Sequence, residues 1–374
     1  MKSLTTYITL LIFVLVTCLT SCVREDDDPE LARISISRLY VSFSEFQLNE
    51  ALTPYNNIDI IDRADSATSF VPSLSYNSGI KGGSGILFNP IAKYVFQSSA
   101  NGSGSIRDTT IQVMSINALT GAPASKGMIS NGLLKNVKGL AYHYNNGADN
   151  LYVSNIGEGT NPSFIYLFQS PGNFRGKAIP KQRIALGTLK PWTMAFKGPE
   201  ANADLLMSVT EGKKGIAIFG NILNKNPAVD SVLNEQSFPP RAVLTIADQG
   251  EIRGFSYSAR QDLLAVATYV TTNGTSVGKI LLYEGASALL SSSADQAISP
   301  TRIISGDLTG LKRPLDVAID NRDGAKYLYV ADADTKIVSR FLITDNGNVE
   351  PNIKKQYALT PVALSLDARG PNEQ

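Results

Sequence analysis

Six short apolar runs recur along the chain: RLYVSFS from residue 38, KYVFQSS from 93, NLYVSNI from 150, DLLMSVT from 204, DLLAVAT from 262 and YLYVADA from 327. Aligned on Tyr40, Tyr94, Tyr152, Leu206, Leu264 and Tyr329, they lie 54, 58, 54, 58 and 65 residues apart. A period of this length means one supersecondary unit per repeat. Such a unit cannot bury its own apolar faces and must stack on its neighbours.

Each run has companions. Upstream lies a second apolar strand: GILFNP (85), GLAYHY (139), TMAFKG (193), GFSYSA (254) and DVAIDN (316). Downstream lies a third, from NIDIID (57) and TIQVMSI (110) to KILLYE (279) and IVSRFL (337). A more polar fourth follows, from SATSFV (66) and ASKGMI (124) to KKQYAL (354). Four antiparallel strands repeated radially make the blades of a β-propeller, a ring that protects most strand edges. The expected fold is therefore all-β, a six-bladed β-propeller of four-stranded antiparallel blades. SALLSSSADQA, 287 to 297, is at most a short helix. The first copy lacks its inner strand, and the chain ends in PVALSLD (361 to 367), an inner strand with no blade of its own. The ring is expected to close by pairing this C-terminal strand with the N-terminal blade.

The last copy, LKRPLDVAIDNRDGAKYLYVADADTKIVSRF (311 to 341), resembles an NHL repeat in its Pro-x-x-Val-Ala-Ile-Asp, its Leu-Tyr-Val-Ala-Asp and its strand ending in Phe. VKGLAYHYNNGADNLYVSN (137 to 155) matches more loosely. The resemblance implies an NHL-like propeller over most of the chain. It implies little about activity, because this fold serves many functions.

The start of the chain addresses location. Lys2 precedes an apolar stretch from Tyr7 to Leu19, the length of a signal-peptide core and too short to span a bilayer. Leu19-Thr20-Ser21-Cys22 then resembles a bacterial lipobox, which implies lipidation of Cys22. Glu25, Asp26, Asp27 and Asp28 are similar to the acidic export signal of Bacteroidetes surface lipoproteins. The expected organisation is a signal peptide at 1–21, a lipidated Cys and acidic tether at 22–32, and one propeller domain at 33–374. The expected place is the outer membrane, exposed on the cell surface, with a periplasm-facing orientation as the alternative. With Cys18 in the signal and Cys22 lipidated, the mature domain has no thiol, disulfide or Cys-based metal site.

Charge narrows the partners. Of 34 basic residues only Lys2 precedes residue 22, which leaves 33 basic against 33 acidic side chains. A neutral domain gives no electrostatic case for nucleic acid. A monomer is expected, bound to the membrane through its lipid.

Chemistry is sparse. His143 is the only histidine, so a three-His metal site is impossible within one chain. No Walker loop, dinucleotide fingerprint or CxxC is present, and KGGSG at 81–85 precedes a strand rather than a helix. The loops joining strands two to three and four to one share one face, opposite the chain ends and so expected to look outward. At the outward ends of the inner strands alignment places Ser84, Lys138, Trp192, Arg253 and Asp316. One aromatic and two cations there suit a sugar or a carboxylate, so these five are the candidate ligand-binding residues. The leading expectation is a non-catalytic binding or scaffold module for a glycan, peptide or protein partner, with no cofactor. The alternative is a metal-dependent hydrolase or lactonase that binds a divalent cation such as Ca²⁺ through Asp316, Asp332 and Glu251. Sugar lactonases share the six-bladed ring, but their early Glu has no counterpart in GGSGILFNP. Asp65-Ser66-Ala67, Asp108-Thr109-Thr110 and Asp230-Ser231-Val232 resemble Asp-Ser/Thr-aliphatic O-glycosylation sites.

Overall fold

The computed structural model describes residues 35–371 apart from 50, 119, 146, 225–230, 234–238 and 248–249. The signal, lipobox and acidic tether read from the sequence lie outside the described residues, as does Asp230 of the third glycosylation-like triplet.

Six sheets, each with four antiparallel strands, form the six blades. Blade 2 begins at its inner strand Gly83–Asn89, blade 3 at Val137–Asn145, blade 4 at Lys190–Phe196, blade 5 at Glu251–Ser258 and blade 6 at Pro314–Ile319. Blade 1 takes its inner strand from the other end of the chain. Pro361–Arg369 pairs antiparallel with Ile36–Phe43, in register from Ile36 opposite Arg369 to Ser42 opposite Ala363. The ring is closed as the sequence pattern predicts.

The core is six layers, one between each pair of blades. The two faces of a strand feed different layers because side chains alternate. In blade 4, Leu205 and Met207 pack toward blade 3, whereas Leu206 packs toward blade 5. Both faces are buried, which is why these strands read as nearly unbroken apolar runs. The layer between blades 1 and 2 holds Tyr40, Ile60, Phe88 and Met114, and that between blades 6 and 1 holds Leu39, Val41, Tyr329 and Leu364.

The outer edges depart from expectation in two ways. SATSFV at 66–71 is not the outer strand of blade 1; that strand is Leu74–Tyr76. The preceding segment turns at Arg63 (φ 51°), where the carbonyl accepts from Ala67 N at 2.8 Å. This turn sends the buried Phe70 ring against Tyr329 as a plug between blades 6 and 1. Three blades also carry a fifth strand. Arg175–Lys177, Ser231–Leu233 and Gln296–Ile298 each pair in parallel with the outer strand of the blade before their own. Each comes from a three-to-four connection and covers an otherwise open edge. The segment SALLSSSADQA forms one helical turn, Ala286–Leu289.

Candidate functional site

Every inner strand breaks register near its outward end. The ladder is interrupted between Gly83 and Ile86, Val137 and Leu140, Pro191 and Met194, and Ile252 and Phe255. It is also interrupted between Pro314 and Asp316, and opposite Ser42 and Phe43 at the closing strand. A bulge of this kind bends the strand and re-aims its side chains. The residues at the breaks are Ser84, Lys138, Trp192, Arg253, Leu315 and Val362. Four of the five predicted site residues thus sit on bulges, and Asp316 follows the bulge of its own blade.

Serines behind the bulges hold the freed backbone in place. Ser154 lies opposite Lys138 and Gly139; its hydroxyl accepts from Gly139 N at 2.8 Å and donates to the Trp192 carbonyl at 3.0 Å. Ser208 accepts from Thr193 N at 2.9 Å, and Ser98 donates to the Gly85 carbonyl at 3.4 Å. The glycine at 139 is required by close approach, since a Cβ there would lie 2.4 Å from the Trp192 carbonyl oxygen. By strand pairing these serines are equivalent, each following the last paired residue before the break. Ser98 lies four residues after Tyr94, whereas Ser154 and Ser208 lie two after Tyr152 and Leu206, so the repeat as aligned hides the recurrence of FQSS, YVSN and LMSV.

The mouth so formed opens on a cavity of about 80 Å³ lined by Ser84, Lys138, Trp192, Leu315, Asp316 and Val362, among others. Beneath it runs an axial cavity of about 170 Å³ lined by the inner strands of all six blades. Trp192 is half-buried. Its ring packs with Tyr269, Leu315 and Val362, and carries both neighbouring cations. The Lys138 ammonium is 5.0 Å from the ring centroid and the Arg253 guanidinium 4.5 Å. Arg253 is further held by Glu251 at 3.1 Å and the Tyr269 hydroxyl at 2.8 Å. Among the described residues the Lys138 ammonium makes no hydrogen bond or ion pair. Burial, with the Arg253 charge beside it, pulls Lys138 down to about 8.

Ser84 and Asp316 reach the same mouth but have other partners. Ser84 donates to the Val137 carbonyl at 2.8 Å, tying blade 2 to blade 3. Asp316 accepts from Leu364 N at 2.8 Å and Val317 N at 3.0 Å, tying blade 6 to the closing strand. Burial pushes the Asp316 carboxyl up to about 7 despite those two amides. Ser365 accepting from Phe88 N and Ser256 accepting from Ile319 N make two more ties of this kind.

Three other carboxylates, Asp332, Asp334 and Glu45, are also committed. Asp332 is buried and accepts from the Lys312, Arg313 and Thr335 amides at 2.7, 2.8 and 3.0 Å. It closes the loop entering the inner strand, and Asn155 does the same for Asn136 N in blade 3. Asp334 pairs with Arg313 at 2.6 Å, and Glu45 accepts from Thr360 N at 2.7 Å. Among the described residues no three His, Cys, Asp or Glu side chains gather as a group able to hold a metal ion. His143 is buried on the opposite side, with Nε2 3.1 Å from the Glu200 carbonyl and its ring edge-on to Phe196; burial lowers its pKa.

No protein-family model and no curated protein matches the chain. Solved structures do. The periplasmic gluconolactonase PpgL of Pseudomonas aeruginosa aligns over 89% of this chain and 99% of its own, with 12% identity and a TM-score of 0.55. Citrobacter koseri AztD aligns over 90% and 99%, with 9% identity and a TM-score of 0.41. At such identities the gluconolactonase likeness shows the shared six-bladed fold and nothing about activity.

Proposed function

We propose that the chain is a lipid-anchored envelope propeller that binds a partner at its outward mouth without catalysing a reaction. One observation carries this reading. An uncommitted cation, Lys138, stands at the mouth beside the single tryptophan, whereas among the described residues Asp316, Asp332 and Glu251 are turned to backbone amides or to Arg253. Such a mouth suits recognition of a glycan, peptide or protein bearing negative charge. A hydrolase on this fold needs carboxylates converging on a cation or a water, which is the weaker fit. The gluconolactonase likeness keeps that second reading in view through the fold alone.

The test is a thermal-shift screen of glycans and peptides against residues 30–374. A ligand at 100 times its Kd adds about 2.7 kcal/mol to stability. The expected result is at least one ligand whose shift disappears in Trp192→Ala. Shifts that survive Trp192→Ala would place binding elsewhere, and lactone hydrolysis lost on adding EDTA would favour the hydrolase.

The anchor follows from Cys22 and the apolar segment before it. In the native host, Cys22→Ser is expected to move the protein from the membrane to the soluble fraction. Unchanged membrane association would remove the lipid from this reading.

A further inference from the structure

We propose that the mouth is a site for the carboxylate of a small organic acid or acidic sugar, with the Lys138 ammonium as its counter-ion. This deepens the binding reading above and rests on it.

Lys138 and Arg253 are like charges gathered around one ring, and only Arg253 has an acidic partner. Lys138 is half-buried and lines both the mouth cavity and the axial one. A half-buried ammonium without an acceptor is incompletely compensated, and an incoming anion supplies the missing charge. A single negative charge balances the one cation at the mouth that is uncommitted among the described residues, which favours a carboxylate over a phosphate dianion. The two oxygens of Asp316 already face the Leu364 and Val317 amides, so this carboxyl belongs to the wall.

Size and polarity agree. A cavity of about 80 Å³ takes a carboxylate with one or two carbons and leaves the rest of the ligand above the rim. Leu315 and Val362 form an apolar side for the carbon stem. The Ser84 hydroxyl donates its hydrogen bond to the Val137 carbonyl, so it fixes the wall rather than donating to the ligand.

Trp192 makes the test direct, because it is the only tryptophan and touches Lys138. Its emission is followed while residues 30–374 are titrated with glycolate and D-glucuronate, and then with methyl glycolate and D-glucose as uncharged counterparts. The acids are expected to change the emission saturably and the neutral compounds to leave it unchanged. Lys138→Met should weaken acid binding about tenfold or more, and Lys138→Arg should retain most of it. Melting temperatures of both variants check that they fold. No saturable response to either acid overturns the site, and so does an equal response to sulfate. A neutral glycan that binds wild type and Lys138→Met alike would keep the binding reading and overturn the carboxylate assignment.

Discussion

Asp316 carries a pH signature in the acidic to neutral range. Its carboxyl is raised from 3.8 to about 7, first by burial, with the Leu364 and Val317 amides pulling the other way. Between those values the folded chain holds a proton that the unfolded chain has released. Stability therefore falls as pH rises from about 4 through about 7, and the full cost of the buried charge is present above that. The shift corresponds to a pH-dependent loss on the order of 4 kcal/mol at most. Asp316→Asn removes this titration, so its denaturation curves from pH 4 to 8 should fall less steeply than those of the wild type. Parallel curves would show that the carboxyl does not titrate in this window. The positions of Ser84, Lys138, Trp192, Arg253 and Asp316 at one mouth were legible from the repeat, because aligned strands place aligned residues at the same height. Which of them hold a neighbouring blade was not legible. The partners of Ser84 and Asp316 are backbone groups of other blades, Val137 and Leu364, and backbone groups carry no sequence signature.

At the scale of the element, inner strands and bulges do most of the positioning. A regular strand would send Lys138 and Trp192 into the layers between blades. The break in register frees them, and the serines on the second strand satisfy the backbone they leave behind. Second and third strands were readable because both their faces are buried. Outer strands are short and polar, which is why Phe70, a plug between blades, reads in the sequence as part of one. The short fifth strands have too few apolar residues to be seen in sequence. The closing strand ties blade 1 to both of its neighbours. Deleting 361–374 strips blade 1 of its inner strand, exposes the apolar layers on either side, and breaks the ties from Leu364 to Asp316 and from Ser365 to Phe88. It also removes Asp367, a buried acid 3.8 Å from Arg38. Burial of Leu364 alone is worth about 2 kcal/mol, against a total stability of roughly 5–15 kcal/mol. The truncated protein is expected to melt earlier and to self-associate in light scattering. A monomer with an unchanged melting temperature would contradict closure by this strand.

For the whole molecule, the ring sets the direction of function. Alternating strands send the two-to-three and four-to-one loops, with the mouth, to one face, and the described chain ends near Ser35 and Pro371 to the other. An anchor on the N-terminal segment would then leave the mouth facing away from the membrane. The balance of 33 basic and 33 acidic side chains beyond residue 21 leaves the surface without a long-range field. Recognition must therefore come from local groups, and at the mouth these are Lys138, Trp192 and Arg253. On the proposed function this mouth recognises a ligand through a cation and an aromatic ring rather than through a metal. Thermal melting of residues 30–374 with millimolar Ca²⁺ or Zn²⁺, and with EDTA, tests it most directly. Melting temperatures that agree under all three conditions are the predicted result. A clear rise with either ion, abolished by Asp316→Asn, Asp332→Asn or Glu251→Gln, would contradict it and identify a metal site on this face.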